Sequence, residues 1–123
     1  MNLVDSSGWL EYLANSQNAP FFAPALEDTE TLLVSTINLY EVFKRVLQQR
    51  GEDAALQAVA LMHQTKVVSV TPPVSLDAAR LSVELKLHMA DSLILATARA
   101  HKATLWTQDA HFDGLPDVRF IRK

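Results

Sequence analysis

The chain has 123 residues, of which 49% are hydrophobic and none is cysteine, and its 14 acidic and 11 basic side chains give a formal net charge of −3. These numbers fit one compact domain and exclude disulfides, thiolate metal sites and cysteine nucleophiles. Only three glycines occur, which excludes a Gly-rich phosphate loop, and the negative charge argues against nucleic-acid binding through a basic surface alone.

The sequence carries no signal for export or membrane insertion. Met1–Asp5 contains no basic region, and no segment approaches the roughly 20 apolar residues that a membrane span requires. We therefore expect a cytoplasmic protein that forms one domain over residues 1–123 and does not associate with a membrane.

Short apolar runs alternate with helical patterns along the chain, which predicts an α/β domain with a parallel sheet. Leu3–Val4 predicts the first strand, and Ser6 or Ser7 is the expected N-cap of the helix that follows. A shorter helix is expected from Pro20 to about Asp28, before a second strand at Leu32–Ser35.

The clearest helix follows the second strand and ends at Gly51, because apolar residues recur there with helical spacing. Another helix has Asp53 near its start. The β-branched run Lys66–Val70 predicts a third strand that Pro72–Pro73 ends.

The last third of the chain predicts two helices and two strands. The helices are expected from about Ser75 to Leu87 and from Ala90 to Lys102, the second of them mostly buried. The fourth strand is expected at Thr104–Thr107 and the fifth at Val118–Ile121. The predicted sheet therefore has four to five strands.

Polar side chains mark the ends of these elements. Asp5 follows the first strand, Thr107 and Asp109 follow or end the fourth, Asp91 opens the buried helix, and Glu41 lies early in the helix after the second strand. Open α/β sheets bind ligands beyond the carboxyl ends of their strands. We expect these side chains to meet at one edge of the sheet.

Each acid also has a purely structural interpretation. Asp5, Asp91 and Asp109 could cap helices, and Glu41 could form an exposed pair with Arg45, four residues later. Four carboxylates at one edge would repel one another, and a divalent cation would resolve that conflict. Both interpretations remain open at this level.

The histidine spacing does not predict a zinc site, because no HxxxH or HExxH pattern occurs. The four histidines are His63, His88, His101 and His111. His111 lies close to Asp109 in the chain and could contact a substrate, although a surface histidine is the simpler interpretation.

Four sequence blocks resemble those of a PIN domain, in particular the VapC-type ribonuclease toxins of bacterial toxin–antitoxin pairs. The blocks follow the family's order over the whole chain: Leu3–Ser7, Ser35–Glu41, Ala90–Ala98 and Leu105–Phe112. The last block matches a Thr-x-Asp-x-x-Phe pattern. The resemblance implies a three-layer α/β/α PIN-like fold with a central parallel sheet.

The resemblance further implies an endoribonuclease that depends on Mg²⁺ or Mn²⁺. Asp5, Asp91 and Asp109 would bind the ions, and Glu41 would orient or deprotonate the attacking water. The products would carry 5′-phosphate and 3′-hydroxyl ends.

Other side chains are candidates for supporting roles. Ser7 and Thr107 are expected to position carboxylates or water. Lys44, Arg45 and Arg99 are candidates for binding RNA, with a solvated helix face as the alternative for the first two.

The resemblance also implies partners, namely a VapB-like antitoxin that covers the site and a second copy of the chain. Trp9, Tyr12, Phe21 and Phe22 are expected to be exposed enough to contribute to a homodimer. The alternative is a PIN domain without toxin function, either an RNA-processing nuclease or a catalytically weak scaffold.

One departure concerns the last block, where many relatives carry a further acid or an asparagine and this chain has His111 before Phe112. We expect a second metal ion to be held less tightly here, or only together with a substrate phosphate. Asp113 is a poor substitute, because it follows Phe112.

Overall fold

The computed structural model describes all 123 residues and has a five-stranded parallel sheet with helices on both faces. The strands are β1 Asn2–Val4, β2 Leu32–Ser35, β3 Lys66–Val68, β4 Thr104–Thr107 and β5 Val118–Phe120. The helices are α1 Ser6–Leu13, α2 Ala19–Glu27, α3 Thr36–Arg50, α4 Glu52–Met62, α5 Pro72–Leu85 and α6 Met89–Ala100. The predicted α/β class, with three layers and a central parallel sheet of four to five strands, is confirmed.

The strand order is β3-β2-β1-β4-β5, and every neighbouring pair is parallel. The chain therefore winds outward from β1 in one direction and then continues with β4 on the opposite side of β1. Val4 pairs with Trp106, so the carboxyl ends of β1 and β4 lie side by side. This switch in winding direction is where open α/β sheets place their ligand sites.

Alternate residues of the strands face two separate cores. Leu3, Leu33 and Leu105 pack with α5 and α6 on one face of the sheet. Val4 and Trp106 pack on the other face with the apolar sides of α1 to α4. Burial on both faces explains why the strands have continuous apolar sequences.

Two predicted boundaries around the prolines are wrong. β3 ends at Val68 and not at Val70, and α5 begins at Pro72 and not near Ser75. The prolines occupy the first helical positions, where a backbone N–H is not needed, and Thr71 caps the helix. α5 also ends before Leu87, since Lys86 adopts a left-handed conformation with φ of 57°.

The expectation of an exposed aromatic surface is wrong for two of its four residues. Trp9 is 1% exposed and Phe22 is 0% exposed, so neither can contribute directly to a homodimer. Phe21 is half-buried and contacts the rings of Phe22 and Trp106, at centroid distances of 5.0 and 5.3 Å. The aromatic residues of α1 and α2 hold these helices to the sheet.

None of the helices is both long and apolar enough to cross a membrane.

Candidate metal centre

Asp5 lies directly after β1 and is 6% exposed. Its Oδ1 accepts hydrogen bonds from the Gly8 backbone N–H at 2.9 Å and from the Ser7 hydroxyl at 2.8 Å. Asp5 is thus the N-cap of α1, and the predicted serine cap is wrong, because Ser6 is already the first helical residue. The capping role and the place at the sheet edge belong to the same side chain.

Thr107 connects the ends of β1 and β4. Its hydroxyl donates to Oδ2 of Asp5 at 2.5 Å and accepts a hydrogen bond from the backbone N–H of Asp109 at 2.9 Å. Both Thr107 and Asp5 are buried. One hydroxyl therefore fixes the position of Asp5 and the direction of the chain that carries Asp109.

Burial raises the pKa of Asp5 from 3.8 to about 6. Hydrogen bonds from Thr107, Gly8 and Ser7 oppose this rise, whereas the negative charge of Asp109 adds to it. Desolvation outweighs the three hydrogen bonds because the carboxyl group is almost completely removed from water. The ionised form of Asp5 is therefore poorly compensated without a cation nearby.

Asp91 lies in the first turn of α6 and is half-buried. Its predicted alternative as a helix cap is wrong, because His88 occupies the N-cap position. Burial raises the pKa of Asp91, the charges of Asp109 and Glu41 raise it further, and His111 and His88 lower it. Asp91 is thus electrostatically coupled to the acids of two other elements.

Glu41 is held by a chain of side-chain hydrogen bonds. The Ser6 hydroxyl donates to Oε1 of Glu41 at 2.7 Å, and Asn38 Nδ2 donates to the same hydroxyl oxygen at 3.0 Å. Asn38 Oδ1 in turn accepts from the Ser35 backbone N–H at 3.0 Å. Glu41 has no ion pair with Arg45, so the alternative interpretation of Glu41 as half of an exposed pair is wrong.

Sequence reasoning missed Ser6 and Asn38 as parts of this arrangement. Asn38 had a detectable signal, because a polar residue three positions after Ser35 is a capping-box pattern, and both bonds of the box form. Ser6 had no signal of its own. Its contact with Glu41 joins residues 35 positions apart and depends on how α1 packs against α3.

His111 belongs to the same edge. Asp109 caps the short 3-10 turn Ala110–Phe112 by accepting from the His111 backbone N–H at 2.9 Å. Nδ1 of His111 also lies 3.2 Å from Oδ1 of Asp109. One ligand atom from each of Asp91, Asp109 and His111 can be chosen so that all three lie within 4.8 Å of one another.

These groups fit a divalent cation, because their donors are carboxylate oxygens and one imidazole nitrogen, both common metal ligands. The acids also repel one another, since the charges of Asp109 and Glu41 add to the effect of burial in raising the pKa of Asp91. A cation would offset that repulsion. Asp5, joined to Asp109 through Thr107, lies at the buried side of this edge.

The predicted RNA-binding cations lie at different places. Arg45 is exposed one turn beyond Glu41, and Lys44 Nζ lies 5.6 Å from the centroid of the Tyr40 ring. Arg99 is in the last turn of α6, about 12 Å along the helix from Asp91, and is not brought to the carboxylates.

Two further cations lie beside the site and were missed in the sequence. Arg122 and Lys123 line a cavity of about 400 Å³ that also contains Asp109, His111 and Phe120. No sequence motif marks these basic residues. They lie near the site because β5 runs parallel to β4, so the residues after β5 lie at the carboxyl edge of the sheet.

A family model described as "PIN domain" matches residues 3–118. No curated protein matches the sequence significantly. Three solved structures with similar folds come from bacterial toxin–antitoxin systems. A toxin–antitoxin complex from Klebsiella pneumoniae has a TM-score of 0.83 at 21% identity and covers 97% of this chain and 96% of its own.

The second is the sarcin-ricin loop cleaving toxin VapC20 from Mycobacterium tuberculosis, with a TM-score of 0.78 at 21% identity, covering 97% of this chain and 99% of its own. The third is VapBC2 from Rickettsia felis bound to a promoter DNA fragment, with a TM-score of 0.76 at 16% identity, covering 98% and 97%. At these identities the likeness shows the fold.

Proposed function

The chain belongs to the PIN domain family, and from this premise we propose that it is a divalent-metal-dependent endoribonuclease acting as the toxin of a type II toxin–antitoxin pair. The observation that carries the proposal is the gathering of acidic side chains at the carboxyl edge of the parallel sheet. Besides burial, the charges of Asp109 and Glu41 raise the pKa of Asp91. The charge of Asp109 likewise adds to the effect of burial on the pKa of Asp5.

Asp5, Asp91 and Asp109 are the proposed ligands of one or two Mg²⁺ or Mn²⁺ ions. Bound there, such an ion would lower the pKa of a water molecule and stabilise charge on the scissile phosphate. The three carboxylates would hold it directly or through waters, since Mg²⁺ keeps much of its hydration shell. Thr107 and Ser7 keep the Asp5 carboxylate in one orientation by donating hydrogen bonds to it.

Glu41 is the proposed base. Its carboxylate would take a proton from the water whose oxygen attacks phosphorus, while the bond from phosphorus to the 3′-oxygen breaks and that oxygen takes up a proton from solvent water. The resulting ends would be 5′-phosphate and 3′-hydroxyl. The Ser6 hydroxyl, fixed by Asn38, donates to Oε1 of Glu41 and leaves Oε2 free to receive that proton.

RNA must approach an acidic edge on a chain with net charge −3, so local cations are needed. Arg45 and Lys44 on α3 are proposed to contact the RNA backbone on one side of the site. Arg122 and Lys123 are proposed to do so on the other side, from the cavity that they share with Asp109. Arg99 is a weaker candidate, because it lies at the far end of α6.

We also propose two protein partners. The similar structures include toxin–antitoxin complexes, which supports a VapB-like antitoxin for this chain. An antitoxin arginine placed among the carboxylates would form charge-assisted hydrogen bonds and block the metal. A homodimer is the second proposed assembly, to be tested by light scattering of the purified chain.

The test is cleavage of a structured RNA by the purified protein in the presence of Mg²⁺ or Mn²⁺. Chelation by EDTA and the variants Asp5→Asn and Asp91→Asn should each abolish cleavage. Asp77→Asn is the matched control, since Asp77 is exposed and pairs only with Arg80. Undiminished cleavage by Asp5→Asn or Asp91→Asn would refute the proposed site.

Toxin function requires a separate experiment. Induced expression of the wild-type chain should arrest growth, whereas Asp91→Asn should not, and mapping of RNA ends after induction should identify the target. Normal growth despite cleavage by the purified enzyme would support an RNA-processing nuclease and contradict the toxin proposal.

A further inference from the structure

His111 is held beside Asp109 by the local backbone. The backbone N–H of His111 donates to Asp109 Oδ1 at 2.9 Å. The adjacent Phe112 is fully buried and anchors the 3-10 turn in the core. The histidine side chain itself remains 63% exposed. An imidazole with a fixed backbone and a solvent-facing ring can exchange a hydrogen bond for a metal bond without disturbing the fold.

The distances around His111 are those of neighbouring ligands on one ion. Two ligands at a right angle, each about 2.1 Å from a metal, lie about 3 Å apart. Nδ1 of His111 and Oδ1 of Asp109 are 3.2 Å apart. The ligand atoms of Asp91, Asp109 and His111 all lie within 4.8 Å of one another, which is comparable with the roughly 4.2 Å between opposite ligands on one ion.

We propose that His111 is a nitrogen ligand of the metal centre and that it shifts the preference of the site from Mg²⁺ toward Mn²⁺. The inference rests on the proposed function, because it requires that the carboxylates bind a divalent ion. Mg²⁺ prefers an all-oxygen shell, whereas Mn²⁺ opens the first-row transition-metal series, whose members bind mixed nitrogen and oxygen sites with increasing affinity from Mn²⁺ to Cu²⁺. An imidazole added to the carboxylate ligands therefore favours Mn²⁺ over Mg²⁺.

His88 provides a matched control. Its ring centroid lies 6.2 Å from that of His111, edge-on, and its charge also affects Asp91. His88 does not belong to the group of ligand atoms within 4.8 Å. A purely electrostatic effect of a nearby imidazole would appear on replacing either histidine, whereas coordination would depend on His111 alone.

The experiment measures binding of Mn²⁺ alone and of Mg²⁺ alone by calorimetry, for the wild type, His111→Ala, His111→Asp and His88→Ala. His111→Ala should lose at least about tenfold in Mn²⁺ affinity, the loss typical of removing even an indirect partner of a ligand, with little change for Mg²⁺. His111→Asp should shift the preference toward Mg²⁺, and His88→Ala should match the wild type.

Electron paramagnetic resonance of the Mn²⁺-loaded protein gives a second readout that is independent of activity. Nitrogen coupling should be present in the wild type and in His88→Ala and absent in His111→Ala. Tight binding of both ions without nitrogen coupling, and with unchanged selectivity in His111→Ala, would overturn the role of His111 while leaving the carboxylate site intact. Failure of the wild type to bind either ion would overturn both proposals.

Discussion

The Thr107 hydroxyl donates to Oδ2 of Asp5 across 2.5 Å, between residues that are 102 positions apart in the chain. The contact is possible because β1 and β4 are adjacent and parallel, so that their carboxyl ends meet. The same hydroxyl oxygen accepts the backbone N–H of Asp109. Thr107 therefore sets the spacing between two of the proposed metal ligands.

Thr107→Val should weaken metal binding, although the valine side chain has nearly the same shape as threonine. The variant removes the donor to Asp5 and the acceptor for the Asp109 N–H, so metal affinity should fall about 10- to 100-fold. Calorimetric titration with Mn²⁺ measures the loss. Thr104→Val on the same strand is the control, because Thr104 lies at the opposite end of β4 and should bind metal like the wild type. Equal affinities for Thr107→Val and the wild type would contradict the role of this hydroxyl.

Asp5→Asn should stabilise the metal-free protein at neutral pH. The pKa of Asp5 is about 6 in the fold against 3.8 ordinarily, so the folded state binds the additional proton between those values. The protonated Asp5 carboxyl group makes its full contribution to the stability of the fold below about pH 3.8. This contribution is lost as the pH rises through about 6. The difference between the two pKa values corresponds to a loss of about 3 kcal/mol in the free energy of unfolding above that pH range.

Thermal unfolding in EDTA from pH 4 to pH 8 measures this effect. Asp5→Asn should gain about 1–3 kcal/mol relative to the wild type above pH 6 and should show little advantage near pH 4. Asp77→Asn, an exposed control, should parallel the wild type throughout. A destabilised Asp5→Asn at pH 7.5 would show that the three hydrogen bonds to the carboxylate outweigh its desolvation.

Ser6→Ala should slow catalysis more than it weakens binding. The variant leaves Oε1 of Glu41 without its donor and leaves the buried Asn38 amide without an acceptor. We expect kcat to fall about tenfold with KM nearly unchanged, and a loss of about 1–3 kcal/mol in stability. Ser16→Ala is the control, because Ser16 is exposed after the end of α1 and makes no hydrogen bond to Glu41 or Asp5. A change in KM alone would contradict a positioning role for Ser6.

The sequence predicted the parts of this site that depend on chain topology. Alternating strands and helices require a parallel sheet, and parallel strands bring acids such as Asp5 and Asp109 to one edge. Contacts between side chains on different helices were not predictable in this way. Ser6 meets Glu41, and Arg122 meets the site, only because of how neighbouring elements pack.

Residue type alone gave wrong predictions where the same residue can serve two structural roles. Pro72–Pro73 can end a strand or begin a helix, and the Thr71 cap decides for the helix. Trp9 and Phe22 could cover a surface or fill a core. They fill the core because α1 and α2 pack on the same face of the sheet.

Gly8→Ala should destabilise the fold and also weaken the hydrogen bond that holds the Asp5 carboxylate. A Cβ at this position would lie 2.5 Å from Val4 Cγ1 and 2.7 Å from Phe22 Cε1, and both neighbours are fully buried. The gain in helix propensity is at most about 1 kcal/mol. Overpacking against two immobile side chains costs about 1–3 kcal/mol, so a net loss is expected.

Denaturant unfolding of a double-mutant cycle tests the cause of this loss. Val4→Ala creates space beside Gly8, so the double variant should be more stable than the sum of the two single losses predicts. Mn²⁺ titration should show weaker binding by Gly8→Ala, because the shifted helix withdraws the Gly8 N–H from Oδ1 of Asp5. Additive losses would mean that the clash with Val4 is not what makes glycine necessary at the start of α1.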